Sequence, residues 1–291
     1  MEKICRIFSN KRNMERNRAE GWQYAKLSGH KNEVAVMHLF DDKDFCEKFA
    51  KRLGISEIVS ATVGGLNEED VACVLGGKTK SKTDLVLTLC DGKSVNISIK
   101  KSSAGQVYLI SVDRFIEGYE KQYAVSIPND IKDSLRLYFY GHAQIMSYLS
   151  NPNVVNNPSA KLILYQKRKK RLVWKSLKNL DLEKSEKFQT WLKSNIADIT
   201  EFCFSRGLAS NCDDWADYVW YINKLGECDF DEIFEIEKLK EKVKNSTEKV
   251  VPSKINGGST IRLPFGFVQW HQKQMQFHHS LSELKSLFSD E

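Results

Sequence analysis

The chain has 291 residues, of which 41% are hydrophobic, 28% charged and 11% aromatic, the balance of a globular protein and not of a disordered one. Lysine and arginine outnumber the acids 44 to 38, giving a mildly basic net charge of +6. No run approaches the ~18 apolar residues of a bilayer span, and the start at Met1 lacks an apolar signal core, so a cytoplasmic protein without membrane contact is expected.

Along the chain, apolar residues at 3–4 spacing from about Asn13 to Leu53 predict helix, either two helices or one kinked at Ser28-Gly29, with a stop at Gly54. Ile55 to Val63 reads as a short strand ending at Gly64-Gly65. Asp84 to Cys90, then Asp91-Gly92, then Lys93 to Lys101 reads as a β-hairpin. Gln106 to Ser111 resembles a third strand. Phe115 to Tyr123 and Ile131 to Leu149 look helical, separated at Pro128, and Asn151 to Pro158 is a turn-rich loop. Leu162 to Tyr165 and Leu172 to Trp174 are candidate strands flanking a basic run. Leu177 to Lys244 reads as mostly helical and Asn245 to Gly258 as a linker. A strand pair, Ser259 to Pro264 and Phe265 to His271, and a tail helix from about Ser280 complete the chain. The expected fold class is α/β or α+β, a mixed sheet flanked by helices with a helical insertion and a C-terminal strand pair. Residues 1–150 would hold the first helices and the hairpin, and 151–291 the helical region and last strands, or all would form one continuous domain.

Seven scattered cysteines contain no CxxC pair, so reduced thiols are expected and structural zinc is not. Gly76-Gly77-Lys78-Thr79 lacks the first glycine of the full phosphate-binding-loop spacing, so no nucleotide site is expected. His271, His278 and His279 would suit a metal or an HNH-type nuclease, but neighbours 278 and 279 diverge on any regular backbone.

The hairpin is the most informative segment. Alternation puts Leu85, Leu87 and Leu89 on one face and Val95, Ile97 and Ile99 on the matching face of the second strand. If Cys90-Asp91-Gly92 is a three-residue loop with Gly92 left-handed, Asp84 lies across from Ser98 on the side of Lys100. A two-residue loop would separate them. Phosphodiester hydrolysis needs a carboxylate to hold a divalent cation and a cation to position water and offset charge on phosphate, which Asp84 and Lys100 can supply. The backbone carbonyl of Ile99 could complete the metal ligands. Lys101 is the rival lysine, but alternation turns it to the apolar face.

Thr83-Asp84, a hairpin, and Ser98-Ile99-Lys100 together resemble the PD-(D/E)XK nuclease motif, most often met in type II restriction endonucleases. That resemblance implies a restriction-endonuclease-like mixed sheet and Mg2+-dependent cleavage of double-stranded DNA. It maps the metal aspartate to Asp84 and the lysine to Lys100. Thr83 replaces the frequent proline, and Ser98 stands where the second acid usually is. A helix ahead of the motif often adds an acid in this family, a role that Glu33 would fill. The resemblance also implies a homodimer on a palindromic site and a cognate DNA methyltransferase as companion. Two other readings stand beside it: a non-catalytic DNA-binding protein with a nuclease-like fold, and a nuclease of DNA repair or mobile elements.

Candidate DNA contacts follow from charge and small residues. Between Val71 and Ser111 the only acids are Asp84 and Asp91, and between Lys161 and Leu180 eight basic residues stand with no acid. Lys78, Lys80 and Lys82 lead into the motif, and Lys101, Ser102, Ser103 and Gln106 follow it. Lys167, Arg168, Lys169, Lys170 and Arg171 form a run suited to phosphates. Arg262, Gln269, His271 and Gln272, set among aromatics, could contact base edges.

Overall fold

The computed structural model describes residues 18–64, 70–139, 172–226, 230–271 and 274–289. Helix α1 (Arg18–Met37) runs continuously through Ser28 and Gly29, so that pair marks no helix end. The break comes at the turn His38–Asp41 and at Asp42, whose carboxylate accepts from the amides of Asp44 and Phe45 at 2.9 and 3.5 Å. This cap opens α2 (Lys43–Leu53), which Gly54 closes in a left-handed conformation.

Strand β1 (Ile58–Val63) precedes two short strands, β2 (Val71–Ala72) and β3 (Lys78–Thr79), that pair with each other. Then come β4 (Leu85–Leu89), β5 (Ser94–Lys100) and β6 (Ala104–Ser111). Helices from Val112–Tyr123 to Ile196–Glu201 lead to β7 (Tyr218–Ile222) and β8 (Asp231–Glu235). After helix Ile236–Lys244 follow β9 (Val251–Pro252), β10 (Thr260–Leu263), β11 (Gly266–His271), β12 (Gln274–Ser280) and helix Leu281–Phe288.

The long strands form two five-stranded sheets, β1-β4-β5-β7-β8 and β6-β12-β11-β10-β9. The first is mixed, with β5 and β7 parallel and its other pairs antiparallel. The second is antiparallel throughout. Flanked by helices, they give the mixed α/β class that the sequence predicts. Both sheets draw strands from either side of residue 150, so no sheet boundary falls there.

Two apolar layers hold the first sheet. The leucines of β4 and Val95, Ile97 and Ile99 of β5 pack with Val36, Phe49 and Trp220. Phe49 and Trp220 stand 4.7 Å apart between ring centroids. On the opposite face Val219 and Tyr221 join a larger core shared with Val268, Met275 and Phe277 of the second sheet. Each fully buried side chain of this size stabilises by about 1.5–3 kcal/mol. Ser98 and Lys100 pair in register with Val219 and Tyr221, so they belong to the layer between the sheets.

Several expectations are corrected. Residues 218–222 and 231–235 are strands within the stretch read as helical, because Tyr218-Val219-Trp220-Tyr221-Ile222 is apolar on both faces, as a central strand requires. The region from Gln106 to Ser111 is a strand, but of the second sheet. The C-terminal pair is part of a larger sheet that also uses β12, β6 and β9, the last lying inside the expected linker. Trp174 starts a helix and does not end a strand. The helix expected from Ile131 is seen as Asn129–Phe139. Its remainder, the Asn151 to Pro158 loop and the strand at Leu162 lie outside the described residues.

Asn32 ties α1 to the end of β7. It is fully buried, donates from Nδ2 to the Ile222 carbonyl at 3.0 Å, and accepts from the Lys224 amide at 2.8 Å. Asn32→Ala strips a carbonyl and an amide of their partner and should cost about 1–3 kcal/mol. A urea midpoint equal to that of the native chain would contradict this anchoring.

Candidate active site

The hairpin register sets the site. Gly92 has φ 81° and the Leu89 amide donates to the Lys93 carbonyl at 2.8 Å, so Cys90–Gly92 is a three-residue loop. Leu85 lies opposite Ile97 and Thr88 opposite Ser94, which places Asp84 across from Ser98 one step beyond the ladder. Below it, a Cβ on Gly64 would come within 2.8 Å of the Thr83 carbonyl oxygen, so only glycine fits. Ser81 Oγ and Thr83 Oγ1 both donate to the Asp214 carbonyl, at 2.7 and 3.2 Å. Thr83, with a hydroxyl that proline lacks, thereby anchors the start of β4.

Asp84 Oδ2 accepts from the Ile99 amide at 2.7 Å and from Ser98 Oγ at 3.2 Å. Lys100 Nζ donates to Ser98 Oγ at 2.7 Å and to the Ile99 carbonyl at 3.4 Å. The ammonium is 3.8 Å from Asp84 Oδ2. Ser98, fully buried, therefore links the acid to the lysine through its hydroxyl. Glu33 follows the Asn32 anchor and bonds to His30 Nδ1 at 3.0 Å. Burial, then the negative charge of Asp84, push the Glu33 carboxyl above the usual range, against the pull of His30 and Lys100.

Asp84, Glu33, Ile99 and Lys100 line one cleft of about 680 Å³, together with Lys101, Ser102, Ser103, Gln106 and His279. A groove of about 780 Å³ beside α2 and β1 is larger and is lined by Asp41, Glu47 and Glu57 with Lys43 and Lys51. Lys101 was assigned by alternation to the apolar face, but β5 ends at Lys100 and Lys101 turns to the cleft. Among the described residues no group of three or more His, Cys, Asp or Glu side chains is placed to hold a metal ion. His278 and His279 point to opposite sides of β12, the former half-buried and the latter buried.

Lys82 does not line the cleft. Ser81 and Thr83 clamp to one carbonyl, so the residue between them turns inward, with Nζ 3.5 Å from the Tyr108 ring centroid and 3.4 Å from the Val107 carbonyl. Burial, then the neighbouring Lys100 charge, push its ammonium down to about 7. Lys78 is exposed, and Lys80 pairs with Asp70 at 2.7 Å. Arg262, Gln269 and His271 lie away from the cleft on the second sheet, with Arg262 exposed and 3.6 Å from Glu283. Gln272 and the run from Lys167 to Arg171 lie outside the described residues.

Sequence reasoning missed Asn32 and weighed His279 only as a metal ligand. His279 is buried, packs edge-on against Tyr221 at 5.1 Å, and is pushed down to about 3 by burial and then by Lys100, so its imidazole is neutral. The five described cysteines are free thiols. No described helix is long and apolar enough to cross a membrane.

Neither a family model nor a curated protein matches the chain. Among solved structures it is similar to restriction endonuclease MspI in complex with its cognate DNA, at 14% identity and a TM-score of 0.43, over 81% of this chain and 77% of that one. Similarity this distant leaves function to the geometry of the cleft.

Lys82 generates a test of its own. Between its folded value of about 7 and an unfolded value near ~10.4, the unfolded chain binds one more proton, so this group makes stability rise with pH across that window. Below it the buried charge exacts its full penalty. Lys82→Met should raise the urea midpoint most near ~pH 6, with the gain fading toward ~pH 10. A gain independent of pH would contradict the enclosed ammonium.

Proposed function

We propose that the chain hydrolyses phosphodiester bonds of both strands of duplex DNA at a short specific sequence with Mg2+, as a type II restriction endonuclease of the PD-(D/E)XK class. The observation that carries this reading is the convergence of Asp84, Lys100 and Glu33 on one open cleft, with the buried Ser98 bonded to the acid and the lysine behind them. The donors suit magnesium: they are hard oxygens of Asp84, Glu33 and the Ile99 carbonyl, and this ion keeps several waters and takes phosphate oxygens. The charge repulsion that raises Glu33 is also what a bound cation would relieve. Once bound, it would supply Lewis-acid polarisation of the scissile phosphate.

The chain's own groups do the rest. Ile99 and Ser98 hold Oδ2 of Asp84, which leaves Oδ1 as the ligand atom. Lys100 has three N–H donors and uses two on Ser98 and Ile99, so the third can hold the attacking water or a phosphate oxygen. Water oxygen bonds to phosphorus as the ester P–O bond breaks. Ser98 keeps the lysine in place and is not itself a metal ligand. Lys78, Lys101, Ser102 and Ser103 would meet the DNA backbone. One cleft per chain and two antiparallel strands call for a two-fold homodimer, and a cognate methyltransferase would protect the same sites.

The short donor set among the described residues favours a second reading, a DNA-binding protein that does not cut. A plasmid assay with magnesium against EDTA separates the two. On the first reading the native chain cleaves only with magnesium, and Asp84→Ala and Lys100→Ala each lose at least ~10²-fold while duplex binding survives. Full activity in either variant would remove the assignment, and duplex binding without any cleavage by the native chain would establish the second reading.

A further inference from the structure

The outward side chains of the second sheet carry a chain of amides. Gln269 of β11 donates from Nε2 to Gln276 Oε1 of β12 at 3.0 Å, and Gln276 donates from Nε2 to Gln106 Oε1 of β6 at 3.1 Å. Gln269 Nε2 also bonds to His278 Nε2 at 3.2 Å, and the His278 ring stacks on Phe267 with centroids 4.4 Å apart and planes at 16°. The row spans three adjacent strands, and its last member, Gln106, also lines the cleft.

Stability does not explain this arrangement. An amide–amide bond in contact with water contributes little net, about 0.5–1.5 kcal/mol, while fixing a glutamine costs up to ~2 kcal/mol of rotamer freedom. Groups ordered in advance bind with a smaller entropic loss. An amide offers two acceptor lone pairs and two N–H donors. Gln269 uses both its donors within the row, on Gln276 and His278. Gln276 uses one lone pair and one N–H, which leaves one of each, side by side. That pair matches the N6 donor and N7 acceptor of adenine in the major groove.

We propose that Gln276 reads an adenine in the duplex, held in place by Gln269 and His278 and linked through Gln106 to the cleft. Gln269 is then a positioning residue and not itself the base reader. This inference rests on the reading of the chain as a DNA-binding protein, but not on cleavage.

The test is selection of bound duplexes from a randomised library with calcium, read alongside magnesium-dependent cutting. The native chain should select a site containing an A·T pair, and 7-deazaadenine at that position should weaken its binding at least ~10-fold. Gln276→Ala should accept any pair there and be insensitive to 7-deazaadenine. Gln269→Ala should relax the same position less, with an unchanged thermal midpoint as evidence of folding. A selected site without an A·T pair, or an unaltered preference in Gln276→Ala, overturns the inference while leaving hydrolysis intact. Selection without cutting removes hydrolysis and leaves the inference standing. No selection at all overturns the inference and the sequence specificity of the proposed function, while the cutting readout alone decides hydrolysis.

Discussion

The site depends on one hydrogen bond, from the Ile99 amide to Asp84 Oδ2 at 2.7 Å. It exists because the hairpin closes with three loop residues, so that the acid just ahead of the first strand faces the segment Ser98–Lys100 of the second. A slip of one residue would turn Asp84 to the other face, where the leucines of β4 sit. Gly92 and the apolar rows that fill the layer under α1 and α2 forbid that slip. The same rows that build the core thus aim the polar ones.

Ser98 changes the electrostatics of the cleft. A second carboxylate there would stand beside Asp84 and repel it. The hydroxyl instead donates to the acid and accepts from the lysine, so acid and ammonium stay coupled at 3.8 Å without direct contact. The second negative charge comes from α1, through Glu33, and Asn32 one residue earlier fixes where it arrives. Burial, and then the charge of Asp84, raise the Glu33 carboxyl above its usual range.

The hairpin was legible in the sequence because its signals agree: strict alternation, a turn sequence with glycine, and a matching apolar face on each strand. The facing of Asp84 and the segment Ser98–Lys100 followed from that register. The parallel partner β7 was hidden because apolar residues on both faces give no alternation, and its neighbours are rich in Glu, Lys and Leu. The inward turn of Lys82 was invisible for another reason. It is imposed by two hydroxyl bonds to the Asp214 carbonyl, more than a hundred residues away in sequence. Likewise Gln269 reads in the sequence as a base contact beside Arg262, His271 and Gln272, since only the pairing of β11 with β12 brings its amide onto Gln276 and His278.

The most direct measurement is duplex affinity with and without calcium, which can fill the cleft without supporting turnover, in the native chain and in Asp84→Asn. Cation and DNA bound in one cleft must strengthen each other equally. The account predicts that calcium tightens duplex binding by the native chain and leaves Asp84→Asn unmoved. An equal calcium effect in both proteins, or none in either, would contradict a cation held by Asp84 at the heart of the site.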